Sequence, residues 1–104
     1  MDVNPINFDE LTDKIYLWFD EKGLSDPIMQ FAKMNEEAGE IAHELTRGNY
    51  KTKEMMDAIG DTYVTLVGMA HHLGLDIAEC AEMAYNEIKN RKGKVIDGSF
   101  VKEQ

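Results

Sequence analysis

Residues 33–44, Lys-Met-Asn-Glu-Glu-Ala-Gly-Glu-Ile-Ala-His-Glu, carry more acidic side chains than a helix surface needs. At about 100° per residue, the apolar residues in and around this stretch fall on one arc, which predicts an amphipathic helix. Glu37 and Glu40 are three positions apart and therefore share one face of that helix. Because like charges held so close repel each other, a hard divalent cation such as Mg²⁺ is the ligand they suggest. An acidic face exposed to water is the alternative interpretation.

The bulk composition restricts the class of protein. The 104 residues are expected to form a single domain, 1–104. The formal net charge of −9 repels polyanions, so no nucleic-acid partner is expected. No apolar run is long enough to span a membrane, so no membrane partner is expected either. The single Cys80 cannot form an internal disulfide, which favours a cytoplasmic location, and it is expected to be buried on a helix.

Capping and stop signals divide the chain into four predicted helices, at about 7–22, 27–46, 53–73 and 77–92. Residues 93–104 are predicted to form a short tail or a hairpin around an Asp-Gly turn. Four helices with short connections predict an all-α four-helix bundle. Each helix carries an apolar face that is expected to be buried, and in the fourth helix this face consists of Ile77, Ala81, Ala84, Tyr85 and Ile88.

A second acidic cluster begins the third predicted helix. Asp57 and Asp61 are four positions apart and share one face, and Glu54 falls close to them. Two consecutive helices with paired carboxylates can face each other across an antiparallel bundle, which would form a pocket for one or two Mg²⁺ ions. Acidic residues near the start of a helix are also favourable without any ligand.

Three motifs, in this order, resemble those of the MazG-type all-α nucleoside triphosphate pyrophosphohydrolases. They are Glu36-Glu37-Ala38-Gly39-Glu40, Ala58-Ile59-Gly60-Asp61 and Asn86-Glu87-Ile88-Lys89-Asn90-Arg91. Together they lie on three successive predicted helices, and the tail resembles that of small phage-encoded members. The resemblance implies Mg²⁺-dependent hydrolysis of a nucleoside triphosphate to the monophosphate and pyrophosphate.

The resemblance also implies roles for individual side chains. Mg²⁺ held by Glu37, Glu40, Asp57 and Asp61 would neutralise phosphate oxygens and lower the pKa of a bound water. Glu36 could bind a second metal or accept the proton of that water, so Glu36, Glu37, Glu40 and Asp61 are the predicted catalytic residues. Basic and amide side chains outside this set are predicted to contact the nucleotide, with ion pairs or exposed helix charges as the alternative: Lys33, Asn86, Lys89 and Arg91.

The second motif departs from the pattern of the family. The family has Glu-x-x-Asp at this point, but the residue three positions before Asp61 is Ala58. Either Asp57 replaces the missing carboxylate, or Glu54-x-x-Asp57 is the motif in a shifted register. We favour Asp57 with Asp61, because Asp61 keeps its place before the apolar run 63–69.

Two other functions fit parts of the sequence. Glu40-Ile-Ala-His43 matches the Glu-x-x-His motif of di-iron carboxylate bundles, but no Glu precedes His71 or His72 by three positions to supply a second copy. A non-catalytic helical regulatory or adaptor domain is the other alternative, and it would use the acidic residues as a solvated rim or as a partner-binding face. Loss of the family's glutamate at Ala58 keeps this alternative open.

A four-helix chain with this many apolar stripes could complete its core with a partner. The chain is therefore expected to complete its core with a copy of itself, as a homodimer or a higher homo-oligomer, as similar proteins do. Three aromatic residues of the first two helices are expected mainly in the core, although each could also stack on a nucleotide base: Trp18, Phe19 and Phe31.

Overall fold

The computed structural model describes residues 5–103, which form four helices followed by a β-hairpin. The elements are α1 (Phe8–Glu21), α2 (Pro27–Thr46), α3 (Lys53–His72), α4 (Ile77–Ile88), β1 (Gly93–Ile96) and β2 (Ser99–Lys102). The predicted all-α fold with a short C-terminal hairpin is confirmed. Among the described residues, no helix is both long enough and apolar enough to cross a membrane.

Every helix begins at a residue whose side chain caps it. The N-cap residues are Asn7, Asp26, Thr52 and Asp76. Their side-chain oxygens accept hydrogen bonds of 2.7–3.4 Å from backbone N–H groups of the first turn. These bonds satisfy donors that have no partner within the helix, so the helix starts are encoded locally.

The central helix is α3, which packs against α2 along much of its length and also against α1 and α4. It approaches α1 tightly at Gly68, where a Cβ atom would clash with the ring of Phe19. Phe19 is 1 % exposed, and the neighbouring Val67 is 0 % exposed. The absence of a side chain at Gly68 therefore makes the room in which the largest buried ring of the core lies.

Polar contacts join α1 to α3 and to the start of α4. The hydroxyls of Thr12 and Tyr63 are 2.9 Å apart. At the beginning of α4, the backbone N–H of Ile77 donates to the hydroxyl of Tyr16 at 3.2 Å. The first turn of α4 is therefore fixed against the other helices, whereas no residue of α4 is fully buried.

The predicted buried face of α4 is wrong for the chain by itself. Ile77 is half-buried, but the other four residues of that face are exposed, with Tyr85 at 61 % and Ile88 at 51 %. Cys80 is exposed as well, not buried. These residues are exposed because α4 contacts the other helices only near its start and diverges from them beyond it. The helix also ends at Ile88, earlier than predicted, since the chain turns at 89–90 to enter the hairpin.

The hairpin pairs β1 with β2 in antiparallel register, from Gly93 opposite Lys102 to Ile96 opposite Ser99. Its turn is Asp97-Gly98, with φ of 49° and 80°, as an Asp-Gly signal predicts for a two-residue hairpin turn. All strand residues are exposed. A two-stranded ribbon is at best marginally stable alone in water, so this hairpin lacks a surface to pack on.

We expect Gly68→Ala to destabilise the fold, because the added methyl group must displace the buried ring of Phe19. Overpacking of this kind costs about 1–3 kcal/mol. The matched control is Gly60→Ala in the same helix, where a Cβ atom meets nothing within 4 Å. The control should stabilise the protein by roughly 0.5–1 kcal/mol, since alanine is the better helix former. Urea denaturation followed by circular dichroism measures both, and equal stability of Gly68→Ala and the wild type would contradict this packing.

Candidate active site

An open cavity of about 660 Å³ lies where α2 packs against α3. Seven carboxylates and one alanine line it: Glu36, Glu37, Glu40, Glu44, Glu54, Asp57, Ala58 and Asp61. The structure thus brings together the acidic residues that the sequence predicts for the site, from two helices that are separated by a short loop. No basic residue is among those that line the cavity.

Burial and the surrounding carboxylates raise the pKa of Glu37 on α2. Burial, followed by the negative charge of Asp61 across the cavity, raises the pKa of Glu37; Lys33 opposes this shift, and Glu40 and Glu36 add to it. A single cation between the helices would relieve the repulsion between Glu37 and Asp61.

Asp61 and Asp57 form a coupled pair on α3. Burial is the main cause of the raised pKa of Asp61. The charge of Asp57 and a hydrogen bond between the two side chains raise this pKa further. Two carboxyl groups can share a hydrogen bond when one of them keeps its proton, which is why this contact favours the protonated form of Asp61. The pair therefore presents closely spaced oxygens to the cavity.

Lys33 lies at the edge of the cavity. Its Nζ atom is 3.2 Å from Oε2 of Glu36, and both side chains are more than half exposed. Water screens such a pair, so it contributes little to stability and can open readily. Within residues 5–103, no other lysine or arginine is within salt-bridge distance of the cavity carboxylates.

Ala58 is 5 % exposed and lines the cavity at the position where the family pattern has a glutamate. Both residues that the sequence offers as replacements, Asp57 and Glu54, line the same cavity. Asp57 also lies close enough to Asp61 for its charge to raise the pKa of that carboxyl, which favours Asp57 as the replacement. The buried methyl group of Ala58 leaves space beside it that a longer side chain would otherwise fill.

The donor set has the chemistry of a site for hard cations, since carboxylate oxygens are the ligands that Mg²⁺ prefers. Among the described residues, no three His, Cys, Asp or Glu side chains converge closely enough to hold an ion in this conformation. The cavity is open, and the glutamate side chains that line it have three rotatable bonds each. Convergence on an ion would therefore require rotation of these side chains.

Other predicted residues lie outside the cavity. Asn86, Lys89 and Arg91 are exposed and do not line it, and Arg91 is 3.9 Å from Glu87. Their contact with a nucleotide stays a prediction. His43 is also exposed and does not line the cavity, so the di-iron alternative lacks its histidine ligand there.

An apolar groove of about 420 Å³ adjoins the cavity at Asp61, which lines both. The rest of the groove comes from α1 and α3: Lys14, Ile15, Trp18 and Val64. Trp18 is 44 % exposed, whereas the neighbouring Phe19 is in the core. The sequence did not predict this groove, because α1 reaches Asp61 through tertiary packing that no local pattern reveals.

Two residues that line the cavity are not among the predicted ligands: Glu44, and Glu54, which the sequence offers only as an alternative to Asp57. A signal for Glu44 was available, since Glu37, Glu40 and Glu44 fall on one arc of the helical wheel. In the structure the Nδ2 atom of Asn49 donates to Oε2 of Glu44 at 2.7 Å, which holds this carboxylate at one end of the cavity.

Comparison with known proteins identifies the fold. No family model and no curated protein matches the sequence. Among solved structures, the chain matches the crystal structure of the Bacillus-conserved MazG protein, a nucleotide pyrophosphohydrolase, with a TM-score of 0.72 and 18 % sequence identity. The match covers 86 % of this chain and 97 % of the other. This chain has the MazG fold. The resemblance inferred from the three motifs is thereby confirmed for the fold, and the function has to be argued from the site.

We expect Asp61→Asn to stabilise the protein at neutral pH. Because the pKa of Asp61 in the folded state is raised above its ordinary value of 3.8, ionisation of this group destabilises the fold. That penalty is fully present above the raised pKa and disappears as the pH falls below 3.8. The gain from Asp61→Asn in the midpoint of urea denaturation should therefore be largest near pH 7 and shrink toward pH 4.

The matched control is Glu82→Gln, which neutralises an exposed carboxylate on α4. It removes the same charge from the protein but relieves no repulsion in the cavity, so it should leave the midpoint almost unchanged at both pH values. A wild type that is more stable than Asp61→Asn at pH 7, with Mg²⁺ removed by a chelator, would show that the charge of Asp61 does not oppose folding.

Proposed function

We propose that this chain hydrolyses a nucleoside triphosphate to the monophosphate and pyrophosphate, with Mg²⁺ as cofactor. The observation that carries the proposal is the cavity lined by carboxylates from α2 and α3, in a chain with the MazG fold. The similar solved protein is named a nucleotide pyrophosphohydrolase. We also propose the cytoplasm as its compartment, which fits the free thiol of Cys80.

Charge supports the choice of cofactor. A cavity lined by seven carboxylates repels a polyphosphate, whereas divalent cations can bind carboxylates on one side and phosphate oxygens on the other. Glu37, Glu40, Asp57 and Asp61 would hold the Mg²⁺. When bound, Mg²⁺ neutralises phosphate charge and lowers the pKa of a water molecule that it coordinates.

Glu36 and Lys33 would act at the edge of the cavity. Glu36 is exposed and able to accept the proton of the attacking water, which is the role of a general base. Lys33 pairs with Glu36 at 3.2 Å. When substrate binds, the ammonium group of Lys33 would leave Glu36 and form an ion pair with a phosphate oxygen instead. This exchange would free Glu36 for its role as base at the moment when the phosphate arrives.

The groove beside Asp61 would receive the nucleotide base. Its lining combines the half-exposed indole of Trp18 with the apolar side chains of Ile15 and Val64. Stacking of a base on an aromatic ring is worth about 1–3 kcal/mol and is tolerant of the base identity. Because Asp61 borders both spaces, a base in the groove would leave the phosphates beside the carboxylates.

The test is an assay of nucleoside triphosphates with Mg²⁺ that distinguishes pyrophosphate from orthophosphate as product. We expect pyrophosphate with at least one nucleotide, and loss of this activity when Mg²⁺ is removed. Loss of a carboxylate ligand weakens charge stabilisation by several kcal/mol, so Glu40→Gln should lower kcat/KM by about 100-fold or more. The control Glu82→Gln should retain wild-type activity.

A second readout separates catalysis from binding alone. Trp18 is the single tryptophan of the chain, so a nucleotide that stacks in the groove should quench the intrinsic fluorescence. Quenching without release of pyrophosphate from any nucleotide would reject the hydrolase and favour the regulatory or adaptor domain. Absence of both signals, in a protein that circular dichroism shows to be folded, would reject a nucleotide site altogether.

A further inference from the structure

The ends of α1 and α3 meet in a group of aromatic and titratable side chains. We name Tyr16, Phe19 and Asp20 of α1, together with His71 and His72 of α3, the helix-end cluster. The rings of Tyr16 and His71 are 4.8 Å apart, and those of Phe19 and His72 are 5.3 Å apart and perpendicular. The Nε2 atom of His71 lies 2.9 Å from Oδ1 of Asp20. These contacts hold the end of α1 against the last turn of α3.

The imidazole of His72 has a buried nitrogen atom without a partner. Within residues 5–103, its Nε2 atom is closed off from solvent and makes no hydrogen bond. A neutral imidazole leaves one uncharged donor or acceptor unsatisfied in this position, whereas an imidazolium would place a cationic N–H group there. Burying a charge costs far more free energy than burying a neutral polar group. The observed packing of His72 against Phe19 therefore requires a neutral ring.

The charged groups around His72 do not compensate a positive charge on it. They are His71 on the same helix, Asp20 on α1 and Asp26 at the start of α2. The carboxylate of Asp20 is engaged by His71, and that of Asp26 caps α2 by accepting from two backbone N–H groups at 2.9 and 3.3 Å. Burial, aided by the charge of His71, lowers the pKa of His72 below its ordinary value of 6.5, although both aspartates oppose this shift.

We propose that the helix-end cluster is a pH-dependent contact, in which neutral His72 holds the end of α1 against α3 and protonated His72 releases it. A ring that cannot carry a charge beside Phe19 has to leave that position before it takes up a proton. Acidic pH therefore favours the released position, in which water solvates the imidazolium. Phe19, which is 1 % exposed, then loses one of the rings that cover it.

His71 does not reverse this response. Protonation of His71 strengthens its contact with Asp20, but the two side chains are 32 % and 62 % exposed. Water screens such a pair, so the contact contributes little to stability in either state. A positive charge on His71 also disfavours a second positive charge on the adjacent His72. The response of the cluster to acid therefore follows His72.

The ring of Phe19 connects the cluster to the groove at Trp18. The rings of Phe19 and Trp18 are 5.2 Å apart in an edge-to-face arrangement, and Trp18 lines the groove beside Asp61. Release of the end of α1 therefore changes the surroundings of the indole. If the groove receives a nucleotide base, which rests on the proposed function, release also weakens that binding at acidic pH. The contact itself is tested without nucleotide, so its failure and the failure of the hydrolase are distinguishable.

Linkage gives the direction and the size of the effect. Above pH 6.5, His72 is neutral in both the packed and the released position, so the contact is fully formed. Below pH 6.5 the released form binds one proton more than the packed form. The ratio of released to packed molecules should therefore rise by up to about tenfold per pH unit, until the pH reaches the lowered pKa of His72.

Hydrogen exchange of the full-length protein tests this contact. The backbone N–H groups of residues 22–24 donate to carbonyls of the last turn of α1 at 3.0–3.1 Å, so their protection reports release. After correction for the intrinsic exchange rate, protection at 22–24 should fall between about pH 7.5 and about pH 5.5, which spans the ordinary titration of histidine. Amides in the middle of α2 should keep their protection.

Two variants show whether His72 causes the response. His72→Phe keeps an aromatic ring beside Phe19 but cannot be protonated, so protection at 22–24 should no longer depend on pH in this range. The matched control is His43→Gln, which removes an exposed histidine of α2 and should respond like the wild type. A wild type whose protection stays constant, or a His72→Phe that loses protection as the wild type does, would overturn the proposal.

A measurement on the wild type keeps the test decisive even if His72→Phe does not fold. An NMR titration of the His72 ring should have its midpoint below pH 6.5. The fluorescence of Trp18, the single tryptophan of the chain, should change over the same pH range. A midpoint at or above pH 6.5, or a tryptophan emission that stays constant while His72 titrates, would reject the pH-dependent contact.

Discussion

The packing of α2 against α3 is the constraint on which the rest of the structure depends, because it brings carboxylates of both helices into one cavity. The pKa values of Glu37 and Asp61 are both raised. Ionisation of these two carboxyl groups therefore costs more free energy in the folded protein than in the unfolded chain, and it lowers the stability of the fold at neutral pH. Apolar contacts elsewhere, such as Phe19 against Gly68, must offset this repulsion. The same repulsion between carboxylates increases the affinity of the cavity for cations, because a bound ion relieves it.

The sequence predicts those parts of the molecule that depend on local chemistry. The start of α2 is predicted correctly because Asp26 caps the helix and Pro27 follows it. The hairpin turn is predicted correctly because Asp97 and Gly98 are residue types that tolerate positive φ. The acidic residues of the cavity are predictable because helical periodicity places them on single faces of adjacent helices. The fold class follows from the same local signals.

Other parts depend on packing between distant segments, and the sequence does not reveal these. The apolar stripe of α4 has the correct periodicity, but periodicity does not tell whether the chain itself or a partner covers the stripe. The groove at Trp18 likewise exists only because α1 lies across α3 near Asp61. The departure from the family pattern at Ala58 is visible in the sequence, whereas the influence of Asp57 on the pKa of Asp61, which supports Asp57 as the replacement, is visible only in the structure.

The most direct test of the central claim is the thermal stability of the protein as Mg²⁺ is added at constant ionic strength. An ion that binds the folded state stabilises it by RT ln(1 + [Mg²⁺]/Kd), about 2.7 kcal/mol at 100 times the Kd. We predict that Mg²⁺ raises the Tm of the wild type in this way, and that the double variant Glu37→Gln/Asp61→Asn loses most of the increase. A Tm that responds to Mg²⁺ no more than to an equal ionic strength of NaCl would contradict a cation site between α2 and α3.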